Sequence, residues 1–270
     1  MFHFVALLLL FSAVTKVSGF QQQQMKSILS RRGLPVTRMS RIDDALKSPK
    51  WPAEWPFRPE DFSRADESSD SNFYSTDRFV HHIDEGSRAA LTRYYSENIK
   101  PFSDVLDICS SWVSHYPSNI KLGRVAGLGM VPGELKQNSQ LTEWTAKDLN
   151  ADPKLPYNDN SFDYVTCVVS TDYLVKPLEV FREIQRVLKP GGTAIMSQSN
   201  RCFPTKAINI WLNTNDVEHV FIIGCYFHYA GGFAPPSSHD ISPNTLGIPT
   251  GDPMFIIEAK KPLVPLPKLS

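Results

Sequence analysis

An aspartate followed by a loop of small side chains is the part of this sequence best suited to binding a ligand. Residues 104–109 (DVLDIC) form a mostly apolar run typical of a buried parallel strand, and Asp107 lies near its end. The chain then enters a tight turn, at the place where a glycine-rich nucleotide-binding loop would be expected. The small residues of this turn are Cys109, Ser110, Ser111 and Ser114. The hydroxyl groups of the three serines could donate hydrogen bonds to a ligand.

A second group of polar side chains lies in residues 199–206 (SNRCFPTK). Asn200, Arg201 and Lys206 could together hold a carboxylate, a phosphate or an enol oxygen, and the planar guanidinium of arginine suits bidentate contacts. The same residues could equally form a structural loop that makes salt bridges to the helix behind it.

Three histidines are candidate bases for a reaction in which an acceptor must lose a proton: His81, His82 and His115. Each of them, taken alone, is equally consistent with a surface or packing histidine.

The elements that must position these residues follow from hydrophobic patterning. Apolar, β-branched runs predict strands, whereas apolar residues at helical spacing predict helices. The predicted strands are residues 104–109, 124–128, 162–170 and 193–197, with 220–228 and 254–259 as a closing antiparallel pair. One or two helices are predicted within residues 79–99. A second prediction is a helix that begins at residues 131–135, with Pro132 in its first turn. A third is a helix over residues 178–188, which ends at the KPGG sequence.

Strands that alternate with helices indicate a parallel sheet in an α/β domain. In such sheets, ligands bind outside the carboxyl ends of the strands. The polar groups described above follow predicted strands, so we expect them at one edge of the sheet.

Residues 51–70 carry three prolines, two tryptophans and many charges, and they cannot form one regular element. The aromatic side chains could pack as an arm on the domain. A flexible linker would fit the acidic, serine-rich end of the segment but not its aromatic beginning. Residues 261–270 form a proline-rich tail for which we predict disorder.

Two later stretches resemble the type 11 family of class I methyltransferases, which depend on S-adenosylmethionine (SAM). Residues 155–165 read LPYNDNSFDYV, and residues 181–192 read FREIQRVLKPGG. The family patterns are LPFxDxSFDxV and REIxRVLKPGG, at a similar separation. A closer likeness, to plastid and cyanobacterial members of the family, includes LDICSSWVSH (106–115), QSNRCFPTKA (198–207) and the tryptophan-rich arm.

The resemblance implies a Rossmann-like fold with a seven-stranded, mostly parallel sheet, an antiparallel closing strand and SAM as cofactor. Asp107 would orient the loop and the ammonium group of the ligand. Asp148 and Leu149 would pair with the adenine edge, although Asp148 could instead only form a turn. Ser170 and Thr171 would line the pocket between cofactor and acceptor, or merely end a strand.

The sequence departs from the family at the cofactor motifs. Three glycines of the family loop DxGxGxG are replaced by Cys109, Ser111 and Val113. The acidic residue that would hold both ribose hydroxyls at the end of the second strand is replaced by Gly129, next to Met130. Glu134 is a possible substitute, or a solvated charge on the following helix.

Composition, charge and cysteine spacing argue against several classes of function. The net charge is +0 and hydrophobic residues make up 41% of the 270 residues. Such a chain has enough apolar residues for a sizeable core, and its charge gives no support to nucleic-acid binding. The four cysteines (Cys109, Cys167, Cys202 and Cys225) are scattered without a metal-binding spacing, so neither a disulfide framework nor a metal site is expected. No GxGxxG follows a predicted strand, which argues against a nicotinamide-dependent oxidoreductase.

The N-terminal 42 residues have the composition of a targeting presequence. Residues 4–14 are apolar but too short to span a bilayer, which takes about 20 residues, and no stop-transfer pattern follows. Residues 20–42 begin with Phe20 and contain five basic residues before the first acidic one. This combination resembles the bipartite plastid-targeting presequence of algae with secondary plastids, and the alternative is ordinary secretion.

The predicted organisation is therefore a presequence (1–42), an arm with helices (43–100), a SAM methyltransferase-like domain (101–260) and a tail (261–270). The predicted function is methyl transfer to a small or lipophilic metabolite in the plastid, with no transmembrane anchor in the processed protein. The alternative, motivated by the substituted loop, is a catalytically inactive protein of the same fold that serves as a binding or assembly subunit.

Overall fold

The structure is a computed structural model that describes residues 42–264. The predicted presequence lies outside the described residues, apart from its last position, and so does most of the predicted tail. None of the helices in the described part of the chain combines the length and the apolarity that a bilayer crossing requires.

Residues 42–264 are built around a seven-stranded sheet in the order β3-β2-β1-β4-β5-β9-β6. Its strands are β1 (Val105–Ile108), β2 (Val125–Gly129), β3 (Glu143–Ala146), β4 (Phe162–Val168), β5 (Leu188–Gln198), β6 (Ser237–Asp240) and β9 (Phe255–Lys260). A separate hairpin joins β7 (Asn244–Thr245) and β8 (Ile248–Pro249). The first five strands pair in parallel, whereas β9 runs antiparallel to both β5 and β6. The predicted fold class is therefore confirmed.

The α-helices flank the sheet or connect its strands. They are α1 (Asp70–Phe73), α2 (Glu85–Asn98), α3 (Pro132–Gln137), α4 (Pro177–Val187), α5 (Asn209–Leu212) and α6 (Asp216–Ala230). Helix α3 begins at Pro132, as predicted. Helix α2 is shorter than residues 79–99, because Asp84 caps it by accepting a hydrogen bond from the Ser87 backbone N–H.

The prediction of a strand at residues 220–228 is wrong, because this segment lies inside helix α6. Asn215 caps the helix through the backbone N–H groups of Val217 and Glu218, and Glu218 returns a contact to the Asn215 backbone. The helix is apolar on most of its circumference and buried, and periodicity does not separate such a helix from a buried strand. The strand that pairs with β9 on its outer side is instead the polar β6.

The tryptophan-rich arm packs on helix α6. Of the two interpretations of this segment, a packed arm and a flexible linker, the packed arm is therefore the one observed. The Trp51 ring lies 4.9 Å from the His228 ring, and the Trp55 ring lies 5.5 Å from the Tyr229 ring. The arm also meets the segment just before helix α5, because Arg64 forms an isolated bridge with Ile208. These contacts carry the chain towards the carboxyl edge of the sheet, where residues 70–83 pass over the strand ends.

Candidate functional site

A cavity of about 530 Å³ lies at the carboxyl edge of the parallel strands. Its volume falls within the range of roughly 300–1,000 Å³ that is common for small-molecule sites. The predicted cofactor-binding residues all lie on its wall. They are Asp107, Cys109, Ser111, Gly129, Met130, Asp148, Leu149 and Ser170. The expected convergence of the strand ends is therefore observed, and their contacts with a ligand stay a prediction.

Asp107 organises the loop that follows β1. Its carboxylate accepts hydrogen bonds from Ser110 and Ser114, both at 2.7 Å, and from Thr166 of β4 at 3.2 Å. Burial raises the pKa of this carboxyl to about 6, although the three hydroxyl donors oppose the shift. Asp107 thus holds the turn in place, as predicted. Its predicted contact with the ammonium group of the ligand stays a prediction.

One of the three substituted glycine positions, Cys109, keeps a backbone conformation that suits glycine. Cys109 has a φ of 52° and His115 has a φ of 61°, both in the left-handed region. Val169, which also lines the cavity, follows β4 with a φ of 42°, which is unusual for a β-branched residue. Non-glycine residues in this region cost on the order of 1–3 kcal/mol each and cluster at functional sites. Three of them on one cavity wall therefore make this edge of the sheet a candidate functional site.

Gly129 could not be an acidic residue in this structure. A Cβ atom at this position would lie far inside van der Waals contact with the carbonyl oxygen of Ser110. The loop after β1 thus occupies the space that the side chain of a ribose-binding acid would need. The Ser110 backbone N–H donates to the Leu128 carbonyl at 2.8 Å, which fixes this close approach.

Glu134 lies on the cavity wall and is buried rather than solvated. One carboxylate oxygen accepts from the Ser111 hydroxyl at 2.6 Å, and the other accepts from the backbone N–H of Arg78 at 2.7 Å. Helix α3 places this glutamate in its first turn, beside the end of β2. The glutamate joins the loop after β1 to the segment that covers the cavity.

Asp148 forms a turn and also faces the cavity, so the two sequence interpretations are compatible. Its Oδ1 atom accepts from the backbone N–H groups of Asn150 at 2.8 Å and Ala151 at 3.3 Å. Its Oδ2 atom has no hydrogen bond within residues 42–264 and remains available as an acceptor. Asn150 in turn donates to Asp70 at 2.8 Å, which ties the loop after β3 to helix α1.

The residues after β4 and β5 are only partly placed as expected. Ser170, Asn200 and Arg201 lie on the wall, whereas Thr171 is fully buried and donates to Gln198 at 3.0 Å. The expectation that Thr171 lines the pocket is therefore corrected, because the strand end turns its side chain inward. Arg201 is 61% exposed and its nearest acidic partner, Asp252, lies 3.8 Å away.

The assignment of Lys206 to substrate binding is corrected by its surroundings. The side chain is 1% exposed and its ammonium group lies 3.0 Å from Asp66 and 3.2 Å from Asp70. It also donates to the carbonyl groups of Asp66 and Ser68. Lys206 therefore holds the arm to the loop after β5. Its role is structural, but its partners belong to the arm and not to the helix behind the loop, which was the alternative that the sequence left open.

All three candidate histidines line the cavity. Burial lowers the pKa of His115 to about 4, so its imidazole is neutral near pH 7. His81 lies against Trp112, with 4.7 Å between ring centroids, and His82 meets Phe203 edge-on at 5.3 Å. They remain candidate bases by position alone.

Sequence reasoning missed the residues that cover the cavity. Asp70, Tyr74, Arg78 and Val80 lie on its wall, on helix α1 and the irregular segment before α2. An irregular segment has no periodic spacing of apolar residues, so its position could not be predicted from the hydrophobic pattern. The run of aromatic residues at 73, 74 and 79 was the available signal for a packed segment.

Comparisons with known proteins agree with this geometry. Residues 108–196 match the family model Methyltransf_11, whose description is "Methyltransferase domain". The match confirms the predicted resemblance for the segment that runs from β1 to β5.

Curated relatives match only part of the chain. The demethylmenaquinone methyltransferase of Bacillus mycoides (strain KBAB4) is 32% identical over 114 residues, which are 38% of this chain and 48% of the relative. The malonyl-[acyl-carrier protein] O-methyltransferase of Marinomonas sp. (strain MWYL1) is 31% identical over 67 residues, or 25% of each chain. The chain thus spans about half the length of the first relative and a quarter of the second.

Solved structures resemble the chain more distantly. A SAM-dependent methyltransferase from Mesorhizobium loti has a TM-score of 0.44 at 15% identity, covering 63% of this chain and 97% of its own. Phosphoethanolamine N-methyltransferase 2 from Haemonchus contortus, in complex with SAM, has a TM-score of 0.45 at 15% identity, covering 64% and 51%. Both scores lie below 0.5, so the fold assignment rests on the sheet order and the family match.

Proposed function

Because residues 108–196 are a methyltransferase domain of the SAM-dependent type 11 family, we propose that this protein transfers a methyl group from SAM to a small-molecule acceptor. The observation that carries the proposal is the cavity at the carboxyl edge of the sheet. It brings together the loops after β1, β2, β3 and β4 in one wall, and every cofactor-binding residue expected from sequence lies on it.

The residues on the wall fit SAM. Asp148 has one carboxylate oxygen that its own turn does not use, which suits the amino group of adenine, and Leu149 follows it. The loop from Cys109 to Ser111, held by Asp107 and Glu134, would carry the methionyl end. With Gly129 unable to become an acid, the Glu134 carboxylate is the acidic group beside the end of β2.

SAM, when bound, supplies a sulfonium methyl group that a nucleophile can attack. The protein's own contribution is to hold that group and the acceptor in line and to exclude water, so no dedicated catalytic dyad is required. Ser170 and the strained Val169 form the wall after β4. Neutral His115 could accept a proton from an acceptor, although its low pKa makes it a weak base.

The acceptor is proposed to be small and lipophilic, of a quinone or related aromatic type. The relatives named above act, by their names, on demethylmenaquinone and on a malonyl group attached to a carrier protein. Four aromatic rings line the cavity, those of Tyr74, Trp112, Tyr173 and Phe203. They favour an aromatic acceptor over a malonyl group attached to a carrier protein.

The test is methyl transfer from methyl-tritiated SAM to demethylmenaquinone, to its quinol and to lipid extracts. The proposal predicts labelled product that falls by about tenfold or more in Asp148→Ala, since one charge-assisted hydrogen bond to the cofactor is lost. Asp159→Ala is the matched control, because Asp159 precedes β4 at the opposite edge of the sheet. Labelling that both variants leave unchanged would contradict the assignment of the site.

We also propose that the protein acts in a plastid. The support is the apolar run at residues 4–14 followed by the basic stretch from Phe20. Residues 1–42 fused to a fluorescent protein should direct it to the plastid of a diatom. Fluorescence in the medium would favour secretion instead.

The second candidate is a catalytically inactive binding or assembly subunit. The observation that favours it is the loop itself, where Cys109 keeps a glycine-like φ of 52° and Gly129 has lost the ribose acid. Binding of S-adenosylhomocysteine (SAH) without transfer to any acceptor would favour this candidate.

A further inference from the structure

Arg78 holds a fixed position in the segment that covers the cavity. Its backbone N–H donates to Glu134 at 2.7 Å, and its Nη2 atom donates to the Phe73 carbonyl at 2.7 Å. The guanidinium carbon lies 4.5 Å from the centre of the Phe73 ring and 5.9 Å from the centres of the Tyr74 and Phe203 rings. Cation–π contacts with these rings orient the charged group without neutralising it.

The charge of Arg78 has no acidic partner within residues 42–264. The other basic side chains on the wall differ in this respect. Lys147 lies 2.6 Å from Asp152, and Arg201 lies 3.8 Å from Asp252. Arg64, next to the cavity, lies 2.7 Å from Asp70. Arg78 is half-buried, and a partly buried cation is stable only when something compensates for its lost hydration.

The position of Arg78 points to the acceptor rather than to the adenosine part of the cofactor. The rings around its guanidinium belong to helix α1 and to the loop after β5, whereas Asp148 and Met130 follow β3 and β2. Phe203 also meets His82 at 5.3 Å and Tyr173 at 6.0 Å between ring centroids. A cation therefore faces the cavity from within a group of aromatic rings.

We propose that Arg78 binds an anionic oxygen of an aromatic methyl acceptor, either a carboxylate or an ionised enol or phenol. The inference rests on the proposed function and adds the charge and the ring character of the substrate. The planar guanidinium can offer two parallel donors to such an oxygen group. The surrounding rings would pack against the acceptor, and Arg201 lies on the same wall as a second cation.

The test uses the full chain with 2-naphthoate and its uncharged analogue 2-naphthamide, titrated calorimetrically in saturating SAH. Naphthoate should bind more tightly than naphthamide by about 10- to 100-fold, the usual effect of hydrogen bonds to a charged group. Arg78→Gln should abolish this preference, and Arg78→Lys should keep part of it. Arg93→Gln, on the exposed face of α2, should leave it unchanged.

Equal binding of the two probes to the unmodified protein, or no binding of naphthoate, would overturn the inference even if Arg78→Gln did not fold. A preference that survives in Arg78→Gln would also overturn it.

The cofactor carries a carboxylate as well, so SAH is compared with 5′-methylthioadenosine, which lacks it. If Arg78→Gln weakened SAH but not methylthioadenosine, the guanidinium would serve the cofactor and the acceptor assignment would fail. Absence of SAH binding to the unmodified protein would instead defeat the proposed function itself.

Discussion

The hydroxyl of Ser111 donates to the carboxylate of Glu134 across 2.6 Å. Ser111 stands at a glycine position of the family loop, and Glu134 belongs to the helix after β2. The bond therefore joins a substituted glycine position of the loop to the glutamate that could replace the missing acid at the end of β2. The same carboxylate holds the backbone of Arg78, so three segments of the cavity wall depend on one side chain.

Replacing Glu134 should loosen all three segments. Glu134→Ala leaves the Ser111 hydroxyl and the Arg78 N–H without their acceptor, and we expect a loss of about 1–3 kcal/mol in the free energy of unfolding. SAH affinity should fall with it, by about tenfold. Urea unfolding and calorimetry measure the two effects. Glu179→Gln, on the exposed face of α4, is the control, and equal behaviour of the two variants would contradict this role.

The strain at Cys109 predicts an unusual response to glycine. Cys109→Gly removes the side chain from a residue with a φ of 52°, so relief of strain offsets the added freedom of the unfolded chain. The free energy of unfolding should stay within about 1 kcal/mol of that of the unmodified protein. Cys167→Gly is the matched comparison, because Cys167 is fully buried inside strand β4. It should lose about 2 kcal/mol or more, and equal losses for both variants would contradict the strain.

Restoring the family acid at Gly129 should fail. Gly129→Asp places a Cβ against the Ser110 carbonyl, and overpacking of this kind typically costs about 1–3 kcal/mol. We expect a lower melting temperature and weaker SAH binding. Gly129→Ala should show a similar loss of stability, because the Cβ and not the charge is responsible. Tighter SAH binding by Gly129→Asp would show that the loop after β1 can move aside.

Asp172 should make stability depend on pH. It is fully buried after β4, and neither carboxylate oxygen has a hydrogen-bond partner of good geometry within residues 42–264, although the side chains of Gln198 and Tyr173 lie near enough to oppose the pKa shift. Burial raises its pKa to about 8, well above that of the unfolded chain, so folding takes up a proton between about pH 4 and pH 8. Its stabilising contribution is present below about pH 4 and is lost as the pH rises through 8.

Asp172→Asn removes this titration while keeping the shape of the side chain. The melting temperature of the variant, relative to that of the unmodified protein, should therefore rise as the pH increases from 5 to 8. Glu54→Gln, at an exposed position of the arm, should show a constant difference. A constant difference for Asp172→Asn as well would mean that the buried carboxyl stays ionised.

The parts of the fold that carry strong local signals were predictable. Asp107 lies near the end of the predicted strand at residues 104–109, and the carboxyl ends of parallel strands converge whatever the loops contain. Asp148 was assigned from the family resemblance alone, because the short strand β3 before it was not predicted. The apolar pattern of residues 220–228 does not distinguish a buried strand from a buried helix. The helix is specified by its capping residues Asn215 and Glu218, which lie before the run. The covering segment around Arg78 has no period at all, and its position depends on contacts with residues more than fifty positions away.

Side-chain roles were harder to predict than positions. Lys206 looked like an anion-binding residue, but two aspartates of the arm surround it. Glu134 looked like a solvated charge, but its carboxylate is buried between two chain segments. In both cases the partner comes from a distant segment, so the residue's own neighbourhood in sequence carried no information about it.

The most direct test is calorimetric titration of SAM and SAH into the purified chain, with Asp148→Ala and Asp159→Ala as a matched pair. The account predicts that both ligands bind with one-to-one stoichiometry, that Asp148→Ala weakens them by about tenfold, and that Asp159→Ala does not. Absence of binding by protein that unfolds cooperatively would contradict the central claim that this cavity is a SAM site.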